Sequence, residues 1–160
     1  MSKADLHSRF SNQPSEWVLR NLGMQECYNE VEDIYRNAKK RGMDYVTVTD
    51  HNEIKGSQIL KDRYPDDVFT GSEITAVFPE NRCKVHILVY DIAQAQFDHI
   101  KQLRWDIYRL RNYIKNENIA HSVAHATCNV NGSLTVEMVE KLILLFDVFE
   151  GINGARNYHF

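Results

Sequence analysis

Residues 45–52, YVTVTDHN, place an acid, an imidazole and an amide (Asp50, His51, Asn52) directly after a β-branched and aromatic run that reads as a buried strand. Similar endings recur along the chain. Asp5-Leu6-His7 closes a strand candidate at the start, and Gly71-Ser72-Glu73 closes another. His86 sits near the start of the strand candidate KVHILVY. IAHSVAHA carries His121 and His125 on one side, because strand side chains alternate. Neutral imidazoles with carboxylates and no thiolates form a ligand set for borderline or hard divalent ions such as Zn²⁺, Mn²⁺ or Fe²⁺. So many groups exceed the needs of one tetrahedral ion, and a carboxylate such as Glu73 can bridge two, so a multinuclear site is the natural expectation. Neighbouring ions suit phosphate-ester hydrolysis: they neutralise the phosphate, acidify a water and hold the leaving oxygen.

A histidine alone at a strand end is more often a hydrogen-bonded structural side chain. His99, on the polar side of a long helix, and His159, beside the C-terminus, are read that way. His121 stands evenly between the two readings, since it points with His125 but a full pleat deeper. For His7, His51, Glu73 and His125 the joint placement carries the weight. The arginines of LRWDIYRLR read as a solvated helix face.

The elements that must position these groups alternate. Lys3 to His7 is a strand, and Asn29 caps a helix to about Arg41, with Val31, Ile34, Tyr35 and Ala38 on one face and Gly42 as its stop. Strand Tyr45 to Thr49 follows, then a helix from Gly56 to Tyr64, ended before Pro65. Val68 to Glu73 and Val85 to Tyr90 read as strands. One long amphipathic helix is expected from Gln94 to Asn116, since Phe97, Ile100, Leu103, Ile107, Leu110 and Ile114 step by threes and fours. Ile119 to Ala124 is a strand, Thr135 opens a helix to about Leu145, and Asp147 to Glu150 starts a last strand. Strands alternating with helices imply parallel pairing, which gathers the carboxyl ends of the strands on one site face.

At 160 residues, one domain is expected, with no repeat or linker. Nineteen basic against twenty-two acidic side chains argue against a sequence-independent nucleic-acid binder. No apolar run approaches the roughly 18 residues that span a bilayer. MSKADLHSRF lacks the apolar core of a secretory signal, and Cys27, Cys83 and Cys128 follow no metal or disulfide spacing, so a cytoplasmic protein with reduced thiols is expected. DLHSRFSNQ contains no glycine, which sets aside a glycine-rich phosphate loop after the first strand.

In order, KADLHSRFS, GMDYVTVTDHN, TGSEIT, KVHILVYD and HSVAHA resemble the motifs of the PHP (polymerase and histidinol phosphatase) family of metal-dependent phosphoesterases, over nearly the whole chain. QPSEW and FEGINGARN resemble more narrowly the PHP domains found beside glycosyltransferases in bacteria. The resemblance implies an α/β fold of the distorted, seven-stranded β/α barrel type, with up to three metal ions at the carboxyl face. It implies His7, His51, Glu73, His86 and His125 as metal ligands, with Glu73 bridging and Asp5 and Asp50 orienting imidazoles. Glu73, Asp50 and Arg9 are the catalytic candidates.

Two departures modify this picture. Arg9 stands where the family has the second histidine of D-L-H-x-H, so either Arg9 replaces that ligand or the loop is two residues shorter than usual. Arginine cannot ligate a metal but can clamp a phosphate, so one ion position is expected to be weaker or missing; a solvent-facing Arg9 is an equal alternative. No late D-A-H motif appears before Phe160, so either an N-terminal fragment lacking its last strands, the preferred reading, or a reduced domain with an incomplete site is expected, with an open sheet edge that favours a homo-oligomer or a fused C-terminal domain. The function expected is phosphoester hydrolysis on a phosphorylated small molecule or nucleotide, through a metal-activated water. The alternative is a non-catalytic module that binds metal or a phosphorylated ligand and supports a partner domain.

Overall fold

A computed structural model describes residues 2–8, 31–126 and 134–151. The fold is mixed α/β. Its elements, in chain order, are β1 (Ala4–Asp5), α1 (Val31–Lys40), β2 (Tyr45–Val46), α2 (Lys55–Arg63), β3 (Gly71–Val77), β4 (Lys84–Tyr90), α3 (Gln94–Leu103), α4 (Ile107–Asn116), β5 (Ala120–Ala124) and α5 (Val136–Leu145). Asn29, Arg9, Arg156 and His159, and the thiols Cys27 and Cys128, lie outside the described residues, whereas Cys83 is buried.

Two sheets form: β1 pairs with β2 in parallel, and β3, β4 and β5 pair in that order, antiparallel throughout. Among the named strands of the described residues, the parallel pairing expected from the alternation of elements holds at β1–β2, and isolated parallel bridges add to it at Val46↔Val68, His51↔Glu73 and Val123↔Phe149. Loop length makes β4 antiparallel to β3. Residues 78–83 join β3 to β4, closed by Phe78 N donating to Cys83 O at 2.9 Å, and a parallel return needs a dozen residues or more. A tight hairpin is the remaining solution.

The strands also extend differently from the sequence-based boundaries. β3 begins at Gly71 and continues past Glu73 to Val77, so Glu73 lies inside a buried strand rather than at its end. Beyond Val46 the 45–52 segment runs alongside β3 through bridges Val46↔Val68 and His51↔Glu73. Gly71 permits this approach: a Cβ there would lie 2.8 Å from Thr47 Oγ1 and 3.3 Å from the Val48 carbonyl. At the other side, Phe149 bridges Val123 in parallel. Segments 4–8, 45–52, 68–77, 84–90, 120–124 and 148–150 thus stand in succession, each bonded to the next.

The single helix expected over 94–116 is two helices. Arg104 and Trp105 break it, and Asp106 starts α4 by accepting from Tyr108 N at 3.0 Å and Arg109 N at 3.1 Å. Both helices still bury one stripe, with Phe97, Ile100, Ile107, Leu110 and Ile114 packed against Ile74, Ile87 and Val123 of the sheet. Truncating any of these fully buried side chains to alanine would cost about 2–5 kcal/mol. A smaller cluster, Val31, Ala38, Val46, Val48, Leu60 and Val68, packs α1 and α2 on the other sheet. Thr135 opens α5, its Oγ1 accepting from Met138 N at 3.4 Å. Among the described residues no helix is long and apolar enough to cross a membrane.

Candidate metal centre

β3 supplies the middle of the site. Glu73 is fully buried (0 % exposed), and four imidazoles from four other segments converge on its carboxylate. His86 Nδ1 and His125 Nε2 lie 2.9 and 3.1 Å from Oε1, while His7 Nε2 and His51 Nε2 lie 3.2 and 3.7 Å from Oε2. His86 Nδ1 and His125 Nε2 are themselves 3.4 Å apart.

The antiparallel sheet explains why His86 belongs here although it sits near the start of its strand. β4 runs against β3 and β5, so its first turn of pleat faces the end of β5: His86 pairs with Ala124, and His125 follows immediately. His125 itself sits at φ 33°, in the left-handed region rarely adopted by a side-chain-bearing residue, at the corner where β5 stops. His51 is held by the parallel bridge to Glu73, with Glu73 N donating to Asp50 O at 3.0 Å. His7 arrives from the segment after β1, where Thr49 N donates to Ser8 O.

The electrostatics follow from burial. Taking Glu73 out of water opposes its ionisation, but hydrogen bonds from His125, His7 and His86 and the charge of His51 outweigh this and hold its carboxyl far below the usual carboxylate range. For His7, burial pushes the pKa down, yet hydrogen bonds and charge from Glu73 and then Glu150 raise it above its ordinary 6.5. One buried carboxylate facing four imidazole nitrogens is a donor set suited to divalent cations.

The donor atoms fit divalent ions. Ligand bonds of about 2.0–2.2 Å set neighbouring donors roughly 2.8–3.6 Å apart at octahedral to tetrahedral angles, and the N···O separations to Glu73 run from 2.9 to 3.7 Å. Two groups, His7–Glu73–His125 and His51–Glu73–His86, each bring one ligand atom per residue within 4.8 Å of one another, and Glu73 is common to both. Binding would require neutral imidazoles and an ionised carboxylate, so uptake of a cation displaces protons.

The structure brings His7, His51, Glu73, His86 and His125 together. It places Asp50 beside them, 2 % exposed, with its carbonyl accepting from Glu73 N and Ser72 Oγ. Asp5, expected to orient an imidazole, instead accepts from Ser8 Oγ at 2.9 Å, because its strand has turned before His7. His121 stands at the far end of β5, its Nδ1 2.9 Å from the Ile119 carbonyl and its ring against Phe146. His99 packs on Tyr113 with ring centroids 4.5 Å apart. Arg9 lies outside the described residues.

Sequence reasoning missed Glu150. Its Oε1 lies 2.8 Å from His7 Nδ1, and its Oε2 accepts from His125 N at 2.9 Å. The bond at Nδ1 turns Nε2 of His7 toward Glu73. The only available signal was an acid at the end of the last strand candidate, DVFE.

No family model matches the chain. Over 77 residues the chain is 35% identical to an uncharacterised protein of Methanocaldococcus jannaschii, a match covering 45% of this chain and 43% of that protein, so less than half of its length. The fold is similar to that in the crystal structure of a candidate metal-dependent phosphoesterase from Bifidobacterium adolescentis, with a TM-score of 0.59 and 14% identity over 92% of this chain and 76% of the other. At that identity the likeness is one of fold.

Proposed function

We propose that this chain carries a metal-dependent phosphoesterase site of the PHP type, acting on a phosphorylated small molecule or nucleotide. The observation that carries the reading is Glu73, one buried carboxylate shared by two histidine-containing ligand groups. The fold shared with a candidate metal-dependent phosphoesterase supports it. The succession of bonded segments is compatible with part of a distorted β/α barrel.

His7, Glu73 and His125 would hold one divalent ion, and His51, Glu73 and His86 a second. Zinc, manganese and iron all suit this nitrogen and oxygen set. When bound, such ions supply phosphate charge neutralisation and a water acidic enough to react near neutral pH. The chain's own residues do the rest. Glu73 balances the positive charge and fixes the spacing of the imidazoles, and Glu150 sets which His7 nitrogen faces inward. The strands hold this geometry, and the Asp50 carbonyl, accepting from Glu73 N and Ser72 Oγ, ties the turn before His51 to β3. Arg9 and Arg156 are the candidates for clamping the phosphate.

The test is hydrolysis of a phosphomonoester by the metal-stripped chain after addition of Mn²⁺ or Zn²⁺, with His51→Ala and Glu73→Ala alongside. Metal-dependent activity lost in both variants is the expected outcome, and activity that survives both would end the assignment. A second reading rests on Arg9 in place of a histidine: a module that binds metal or a phosphorylated ligand without turning it over, beside a partner domain. Full metal occupancy without hydrolysis of any phosphate ester would favour it.

A further inference from the structure

Asn52 directly follows His51 and sits at φ 52°, in the left-handed region that asparagine tolerates better than most residues. Its backbone N donates to Glu73 O at 2.9 Å. Its side chain then grips Thr75 twice, Nδ2 donating to Thr75 Oγ1 at 3.1 Å and Oδ1 accepting from Thr75 N at 3.0 Å. Thr75 is the residue paired with His86 across β3 and β4. One amide therefore locks the turn carrying His51 to the rung carrying His86, whose rings lie 4.7 Å apart. Glu150 does the corresponding work elsewhere, joining the His7 ring to the backbone of His125, whose rings lie 5.7 Å apart.

Resting on the metal-site reading above, we propose that Asn52 is a positioning residue for the His51–Glu73–His86 half of the site, and Glu150 for the His7–Glu73–His125 half. The two halves share Glu73 and touch where His86 Nδ1 lies 3.4 Å from His125 Nε2, but Asn52 and Glu150 anchor different histidine pairs, so the halves can be loosened unequally. This would let one chain hold a tight ion and a weaker, more exchangeable one beside it.

The test uses the full chain, stripped of metal and titrated with Co²⁺ or Zn²⁺, with bound ions counted and each binding step fitted. Asn52→Gly keeps the backbone freedom and removes the grip. Asn52→Asp keeps an oxygen for Thr75 N. The wild-type chain should take up two ions. Asn52→Gly should weaken one step by about 10- to 100-fold, the usual effect of losing an orienting partner, and leave the other step unchanged. Asn52→Asp should restore most of the lost affinity. Against a His86→Ala background Asn52→Gly should add little, whereas with His125→Ala most of its effect should persist. Two unaltered binding steps in Asn52→Gly would overturn the proposal, as would equal weakening of both, or a lower melting temperature with unchanged ion binding. A wild-type chain that binds one ion overturns the division into halves while sparing the metal site. A wild-type chain that binds none overturns the site reading itself.

Discussion

Replacing Glu73 with glutamine should remove nearly all stabilisation by divalent ions, whereas replacing His86 should remove half. Glu73 belongs to both ligand groups and His86 to one. An ion present at 100 times its dissociation constant stabilises the folded state by about 2.7 kcal/mol per site, so two sites give about 5.4 kcal/mol. For a chain of 160 residues, each kcal/mol moves the melting temperature by about 2–4 °C, so the wild type should gain about 10–20 °C on metal addition. The glutamine amide keeps the volume but loses the charge and offers a single neutral oxygen. If affinity falls about 100-fold at both sites, the same metal concentration contributes only about 0.4 kcal/mol per site, a gain of a few degrees. His86→Ala should keep about half the wild-type gain. The assay is thermal unfolding of each variant with metal and with chelator, each compared with its own metal-free form. A Glu73→Gln chain with the full wild-type gain would refute the shared-ligand arithmetic, as would a His86→Ala chain as unresponsive as Glu73→Gln.

Gly71→Ala should push segment 45–51 off β3, since its Cβ would meet Thr47 Oγ1 at 2.8 Å and the Val48 carbonyl at 3.3 Å. The cost should be about 1–3 kcal/mol in urea unfolding, with metal affinity falling through His51. Asp106→Ala should cost about 1 kcal/mol by removing the cap of α4 and leave ion binding unchanged, as thermal melts and metal titration would show. In the metal-free chain, the raised pKa of His7 contributes stability that is complete below its unfolded value of 6.5 and lost as pH rises through the folded value. The depressed Glu73 carboxyl contributes stability present above its unfolded 4.5 and lost as pH falls toward its folded value. Urea midpoints without metal should therefore peak between these values and decline on the alkaline side. Added metal should reverse the alkaline decline, because ligation needs deprotonated imidazoles.

The ligand candidates could be picked out because imidazoles and carboxylates in or beside apolar strands have no packing reason to be there, although Glu73 was placed at a strand end and lies within β3. Glu150 was not, since its partners lie 143 and 25 positions away and a lone acid after Phe149 resembles any strand end. The break between α3 and α4 was hidden because Leu103 and Ile107 keep a four-residue step across it, so apolar periodicity runs on. Asp106 in a capping position was the available signal. The direction of β4 was hidden because ending one strand at Glu73 and starting the next at Val85 left an apparent connection 74–84, longer than the actual 78–83, and alternation of strands and helices elsewhere pulled the reading toward parallel pairing. The start of β3 was misjudged because GSEITAV is buried almost throughout, and a strand buried on both faces shows no alternation to mark its bounds.

Crystals grown with Zn²⁺ and measured at its absorption edge test the central claim most directly. Two anomalous peaks sharing the Glu73 carboxylate are predicted, one reached by His7 and His125 and the other by His51 and His86. Peaks confined to surface sites, with none within bonding distance of Glu73, would contradict the account.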